Sequence, residues 1–144
     1  VLQYMIDTLV ACRESGYVST LMGRRRAIAG VRPVPPGLRE PKSGALRQLN
    51  LPERTAVNAV IQGTAADLIK AAMIRVHRRL HANQSPARML LQIHDELLFE
   101  TPPDAVAGLA ALAREEMSTV MDLSVPLKVD VKTGPNWAAC EVMA

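Results

Sequence analysis

The stretch Arg88-Met89-Leu90-Leu91-Gln92-Ile93-His94-Asp95-Glu96-Leu97-Leu98-Phe99-Glu100 decides how the rest of the chain is read. Two apolar runs flank the short polar segment His94-Asp95-Glu96, the pattern of a β-hairpin with a charged tip. Adjacent carboxylates at such a tip cannot belong to a core, because burying them unpaired is very costly. Asp95 and Glu96 are therefore the leading candidates for chemistry. Their hard oxygens suit Mg²⁺, which keeps several waters and takes one or two protein carboxylates alongside substrate phosphates. An Asp in a hairpin turn is also an ordinary turn residue, and a lone histidine such as His94 is more often structural than a ligand.

Working outward, a long helix should precede this hairpin. Asn50 can cap it, Pro52 fits its first turn, and Glu53 lies at the capping-box spacing. Val57, Ile61, Ala65, Leu68, Ile69, Ala72, Met73, Val76 and Leu80 predict one apolar stripe along it. Gly63 interrupts that helix at a cost of roughly 1 kcal/mol relative to Ala, which is explicable if something large approaches the backbone there. Arg54, Asn58 and Gln62 recur every four residues and line one face, offering a phosphate ligand and paired amide donors and acceptors. A solvated helix face would show the same spacing.

Upstream, residues 1–14 carry a helical apolar pattern through Leu2, Met5, Ile6, Leu9 and Val10, ended by Ser15-Gly16. The pattern is already running at Val1, so a piece of a longer protein is expected. Residues 17–22 favour a strand that Gly23 breaks before Arg24, Arg25 and Arg26. Three consecutive arginines could neutralise several phosphates, or form a solvated basic corner. Residues 27–50, with Pro33, Pro35, Pro36 and Pro41 and the basic groups Arg32, Arg39, Lys42 and Arg47, read as an extended loop. Downstream, a helix is expected from about Asp104, as its cap, to Met121. Leu127, Val129 and Val131 then alternate with Lys128, Asp130 and Lys132, which predicts a half-buried strand. The order implies an α+β fold, helices packed on an antiparallel sheet.

Composition bounds the possibilities. The chain has 144 residues and is 49% hydrophobic, enough for one core made almost without aromatics, which are 3%. Residues 1–52 hold 8 Lys/Arg against 3 Asp/Glu, and residues 53–144 hold 9 against 11. A basic front half and an acidic back half suit a polyanion on one side and metal-binding carboxylates on the other. Cys12 and Cys140 have no partner spacing, so neither a disulfide framework nor structural zinc is expected. No membrane-length apolar run is present, so no membrane partner is expected.

The wording and order of these segments resemble one family. Gly16 to Arg26 resembles the GYVxTLxGRRR segment of family A DNA polymerases of the bacterial DNA polymerase I type, and Glu53 to Lys70 is similar to their ERxAxNxxxQGTAADxxK helix. Leu91 to Glu100 resembles their LQVHDELVFE hairpin, and Val125 to Val129 and Gly134 to Trp137 are similar to the closing VPLxV and GxxW segments. The resemblance implies the C-terminal part of a polymerase palm, with residues 1–52 a fingers-edge helix and basic loop and 53–144 the palm proper. It implies template-directed transfer of deoxynucleotides to a primer 3′-hydroxyl in DNA replication and repair. Primer-template DNA and deoxynucleoside triphosphates would be the partners, and a two-metal Mg²⁺ site the cofactor.

Residue by residue, the resemblance makes Asp95 a catalytic metal ligand with Glu96 beside it, and places His94 near the primer terminus. It gives Arg54, Asn58 and Gln62 contacts to sugar and base edges, and Arg24, Arg25 and Arg26 contacts to DNA. It also implies a monomer in the cytoplasm, at the bacterial nucleoid. Departures are the proline-rich stretch from Ala27 to Pro52, Val60 where many members carry proline, and Ala27 where an aromatic is common. The family's other metal aspartate, in a DYSQIELR-like strand, and its nucleotide-gripping fingers helix have no counterpart here, so the chain alone should be inactive. Two other readings remain. One is a palm piece that grips duplex DNA without catalysis. The other is a His-Asp metal phosphohydrolase, for which His77 and His81 supply no convincing ligand set.

Overall fold

The computed structural model describes residues 1–32 and 49–143, in two compact units whose boundary falls between Asp67 and Leu68. Most of the proline-rich loop, including Pro33, Pro35, Pro36, Pro41, Arg39, Lys42 and Arg47, lies outside the described residues.

The first unit begins with helix α1, Leu2–Ser15, which ends at Gly16 in the left-handed conformation (φ 77°). Glycine meets that conformation at no steric cost, and its N–H closes on the Cys12 carbonyl. Strands β1, Tyr17–Ser19, and β2, Arg25–Ala27, then form an antiparallel hairpin. This corrects the sequence reading twice. The strand expected over 17–22 stops at Ser19, and Ala27, expected in the loop, ends a returning strand that begins at Arg25. The turn closes because Gly23 N–H reaches Thr20 O at 2.9 Å and Thr20 N–H reaches Arg24 O at 2.9 Å.

Helix α2, Leu51–Ala82, starts as expected. Asn50 Oδ1 accepts from Glu53 N–H, and Glu53 Oε2 accepts from Asn50 N–H, each at 2.9 Å, a reciprocal capping box. Leu9, Cys12, Val18, Ile28, Ala56, Val57, Ala59 and Val60 form the core of this unit. The predicted apolar stripe fails in the same stretch: Ile61 and Ala65 are exposed, while Ala56, Val60 and Thr64 are buried. Small side chains let α1 and the hairpin come close, so size rather than hydrophobicity selects the buried face there.

In the second unit, β3 (Arg88–Ile93) pairs antiparallel with β4 (Glu96–Glu100), as the sequence predicts. A bulge between Met89 and Leu91 resets the register. Met89 opposite Phe99 therefore packs on Val76, Leu80, Ala87 and Leu112, while Leu91 opposite Leu98 falls on the other face. Helix α3 is Val106–Ser118, shorter than expected and entered through a 3₁₀ turn at Pro103–Ala105. Asp104 sits within that turn, so it is not the cap, and α3 has no side-chain cap. Glu116 of α3 is buried and receives Arg75 and Arg79 of α2, each at 2.7 Å.

The expected strand at 126–131 joins no sheet among the described residues, although Leu127, Val129 and Val131 are half-buried, the residues between them are exposed, and Val131 O accepts from Met143 N–H at 2.8 Å. Alternation without a neighbouring strand among the described residues gives no ladder. A strand pair forms just beyond it, between β5 (Lys132–Thr133) and β6 (Glu141–Val142). The fold class is thus α+β, but among the described residues the expected single sheet is replaced by three separate two-stranded antiparallel sheets.

Candidate functional site

The acidic tip of the second unit is built by its strands. Ile93 pairs with Glu96, so the turn proper is the two residues His94-Asp95, and Glu96 belongs to β4 rather than to the turn. His94 adopts φ 52°, a left-handed conformation that costs a non-glycine residue of order 1 kcal/mol. The side-chain amide of Gln92 donates to His94 O and braces that bend. Alternation along β4 places Glu96 with Leu98 and Glu100, on the face opposite Phe99. His94, Asp95 and Glu96 are all exposed.

Among the described residues neither the Asp95 nor the Glu96 carboxylate has a hydrogen-bond or ion-pair partner, and no three His, Cys, Asp or Glu side chains cluster as a metal site. Two free hard-oxygen donors, one in the braced turn and one at the start of β4, fit a hard divalent cation whose remaining ligands come from elsewhere. The same facts leave His77 and His81, both exposed on α2, without a third ligand among the described residues.

The basic features of the first unit meet around one concavity of about 190 Å³, lined by Thr20, Arg24, Arg25, Arg26, Gln62 and Gly63 among others. Arg26 stands opposite Val18 in the hairpin register, on the same pleat face. Arg25, on the other face, lies over the Tyr17 ring with its guanidinium 4.7 Å from the centroid. Arg24 is committed to the chain itself: its Nε is 2.8 Å from Asp67 Oδ1, and its Nη2 donates to Gly63 O at 2.9 Å. Arg54 and Asn58 are exposed on the helix row that continues to Gln62.

The close approach expected at Gly63 is present. A Cβ there would lie 2.7 Å from Thr20 Cγ2, so what approaches the helix is the chain's own hairpin. Sequence reasoning also missed Glu53 as an ion-pair hub. It is buried and receives Arg32 at 2.8 Å, with Arg13 at 3.6 Å. The Arg32 guanidinium donates to Glu53 and holds its carboxyl below the usual carboxylate range, outweighing the opposing push of burial. Only the i+3 spacing from Asn50 pointed to Glu53. Nothing local pointed to Asp67, Thr20 or Arg32, whose partners lie tens of residues away.

The fold and these features define an α+β chain with an acidic hairpin tip in one unit and a basic, amide-bearing helix face in the other. The model of DNA polymerase family A matches residues 1–139, and the chain belongs to that family. It is 48% identical over 136 residues to DNA polymerase I of Chloroflexus aurantiacus, an alignment covering 94% of this chain and 13% of that protein. DNA polymerase I of Deinococcus radiodurans is 46% identical over 94% of this chain and 13% of its own length. The thermostable DNA polymerase I of Thermus thermophilus is 44% identical over 93% and 15%. The chain therefore spans about one seventh of the length of the curated relatives it matches. Among solved structures, the POL domain of Pol1 from M. smegmatis, in complex with DNA primer-template and dNTP, superposes with a TM-score of 0.70 at 40% identity, over 88% of this chain and 20% of that one.

Proposed function

We propose that this chain is the C-terminal palm portion of a DNA-directed DNA polymerase, with residues 1–52 at the fingers edge and 53–144 in the palm. Membership of DNA polymerase family A over residues 1–139 carries this reading, and the braced acidic tip supports it. In the reaction a primer 3′-hydroxyl attacks the α-phosphorus of a deoxynucleoside triphosphate, and the bond to the bridging oxygen breaks to release pyrophosphate. Asp95, with Glu96 beside it, would hold Mg²⁺ together with an aspartate from outside this chain. Bound there, the cation supplies charge stabilisation to the attacking and leaving oxygens.

The chain's own residues position the substrate. Gln92 braces the turn that presents Asp95, and His94 lies beside the primer terminus. Arg54, Asn58 and Gln62 present one exposed helix row to primer-template sugar and base edges, and Arg25 and Arg26 add positive charge for its phosphates. The protein works as a monomer in the cytoplasm, at the nucleoid.

Primer extension by the full-length polymerase tests this function. Asp95→Asn should abolish incorporation while DNA affinity stays within about threefold, since one exposed carboxylate contributes little to holding a polyanion. Near-normal extension by that variant would remove Asp95 from the metal site.

A further inference from the structure

The three arginines after Gly23 are chemically identical but differently engaged, and the difference assigns them different work. Arg24 is the only one of the three with an ion pair among the described residues. Its guanidinium spans two points on α2, the Asp67 carboxylate at 2.8 Å and the Gly63 carbonyl at 2.9 Å. Asp67 divides its oxygens, Oδ1 to Arg24 and Oδ2 to the Thr20 hydroxyl at 2.6 Å. The same hydroxyl accepts from Arg24 N–H at 3.1 Å, and Leu21 N–H donates to Thr64 Oγ1 at 3.1 Å. Both ends of the β1–β2 turn are thus fastened to one turn of α2, over a glycine that leaves room for nothing larger.

We propose that Arg24 is a positioning residue. Through Asp67 and Gly63 it fixes the β1–β2 hairpin on α2, so that Arg26 and Gln62 face one concavity as a two-sided grip on the primer-template. This rests on the DNA-contacting role proposed above for that face. A planar guanidinium can make both contacts at once, whereas an ammonium offers a single point charge. Arg24 therefore contributes its shape, and Arg26 its charge. Half of the Arg24 side chain is exposed, so charge alone would make it look like a phosphate ligand.

The two roles separate in equilibrium primer-template binding by the full-length polymerase without nucleotide, each variant being measured below its own melting transition. If Arg24 positions, Asp67→Asn weakens binding about fivefold even though it removes a negative charge near a polyanion, and Arg24→Gln weakens it by a similar factor. The double variant is no weaker than either single one, because both break one device. Arg24→Lys does not restore affinity. Gly63→Ala, which changes no charge and displaces Thr20, gives the same loss. The proposal is overturned if Asp67→Asn binds as tightly as wild type or more tightly. It is equally overturned if the two losses multiply in the double variant, if Lys restores affinity, or if folded Gly63→Ala binds normally. Arg26→Gln and Gln62→Ala keep the two readings distinguishable. If they lower affinity and the Asp67 variant does not, only the positioning role fails. If neither lowers it, the DNA-contacting face itself fails, and the positioning role with it.

Discussion

Replacing Glu53 in the full-length polymerase tests whether the start of α2 is held by a cap and two arginines acting together. Glu53 closes the capping box with Asn50 through two bonds of 2.9 Å and receives Arg32 at 2.8 Å while being almost fully buried. Alanine keeps the bond from the residue-53 N–H to Asn50 Oδ1, but it leaves the Asn50 N–H without its acceptor and removes the charge-assisted bond from Arg32, each costing about 1 kcal/mol. Glu53→Ala should therefore lower hydrogen-exchange protection across residues 50–58 by roughly thirtyfold. Glu53→Gln keeps an acceptor for Asn50 and loses only the charge, so it should fall between alanine and wild type. The pH dependence follows from the depressed carboxyl. Its folded-state value lies below the ordinary 4.5, so its contribution is complete above that value and is lost as pH falls through the folded-state one. After correction for intrinsic exchange, the gap between wild type and Glu53→Gln should persist from neutrality down to about pH 5 and narrow below it. Equal protection in wild type and Glu53→Ala at pH 7, or a gap that widens on acidification, would refute this account of the hub.

Gln62→Ala, on the exposed row of α2, should raise the KM for primer-template by about tenfold with melting unchanged within about 1 °C, since exposed substitutions shift stability little. A melt that falls while KM holds would make Gln62 structural. Glu116→Ala removes the buried acceptor of Arg75 and Arg79 and should cost about 2 kcal/mol, read as faster exchange in the peptides spanning α3 and the second half of α2. Unchanged exchange there would mean that hydration replaces the pair without loss.

The elements most legible in the sequence were those whose signals are local. The Asn50–Glu53 spacing marked the start of α2, and Gly16 marked the end of α1. Two apolar runs around His94-Asp95 marked the β3–β4 hairpin. What stayed hidden depended on distant partners. The Ile61 stripe failed because close approach of the β1–β2 hairpin selects small residues on α2, a fact held in Thr20 and Gly63 jointly. Alternation at Leu127, Val129 and Val131 described burial correctly, but a strand also needs a neighbour, which no local pattern supplies. In the candidate site, Asp95 and Glu96 were identifiable as carboxylates that no core could hold. The division of labour among Arg24, Arg25 and Arg26 was not, because it is set by Asp67 and Tyr17.

The central claim is that Asp95 ligates the metal that drives nucleotidyl transfer. Single-turnover incorporation of one correct nucleotide by full-length Asp95→Asn, at saturating primer-template and Mg²⁺, tests it most directly. Losing a charged ligand at the reacting centre should slow the step by about a thousandfold or more, with the DNA dissociation constant nearly unchanged. A rate within about tenfold of wild type, on DNA bound equally well, would contradict the claim and leave the tip of the β3–β4 hairpin as an ordinary turn.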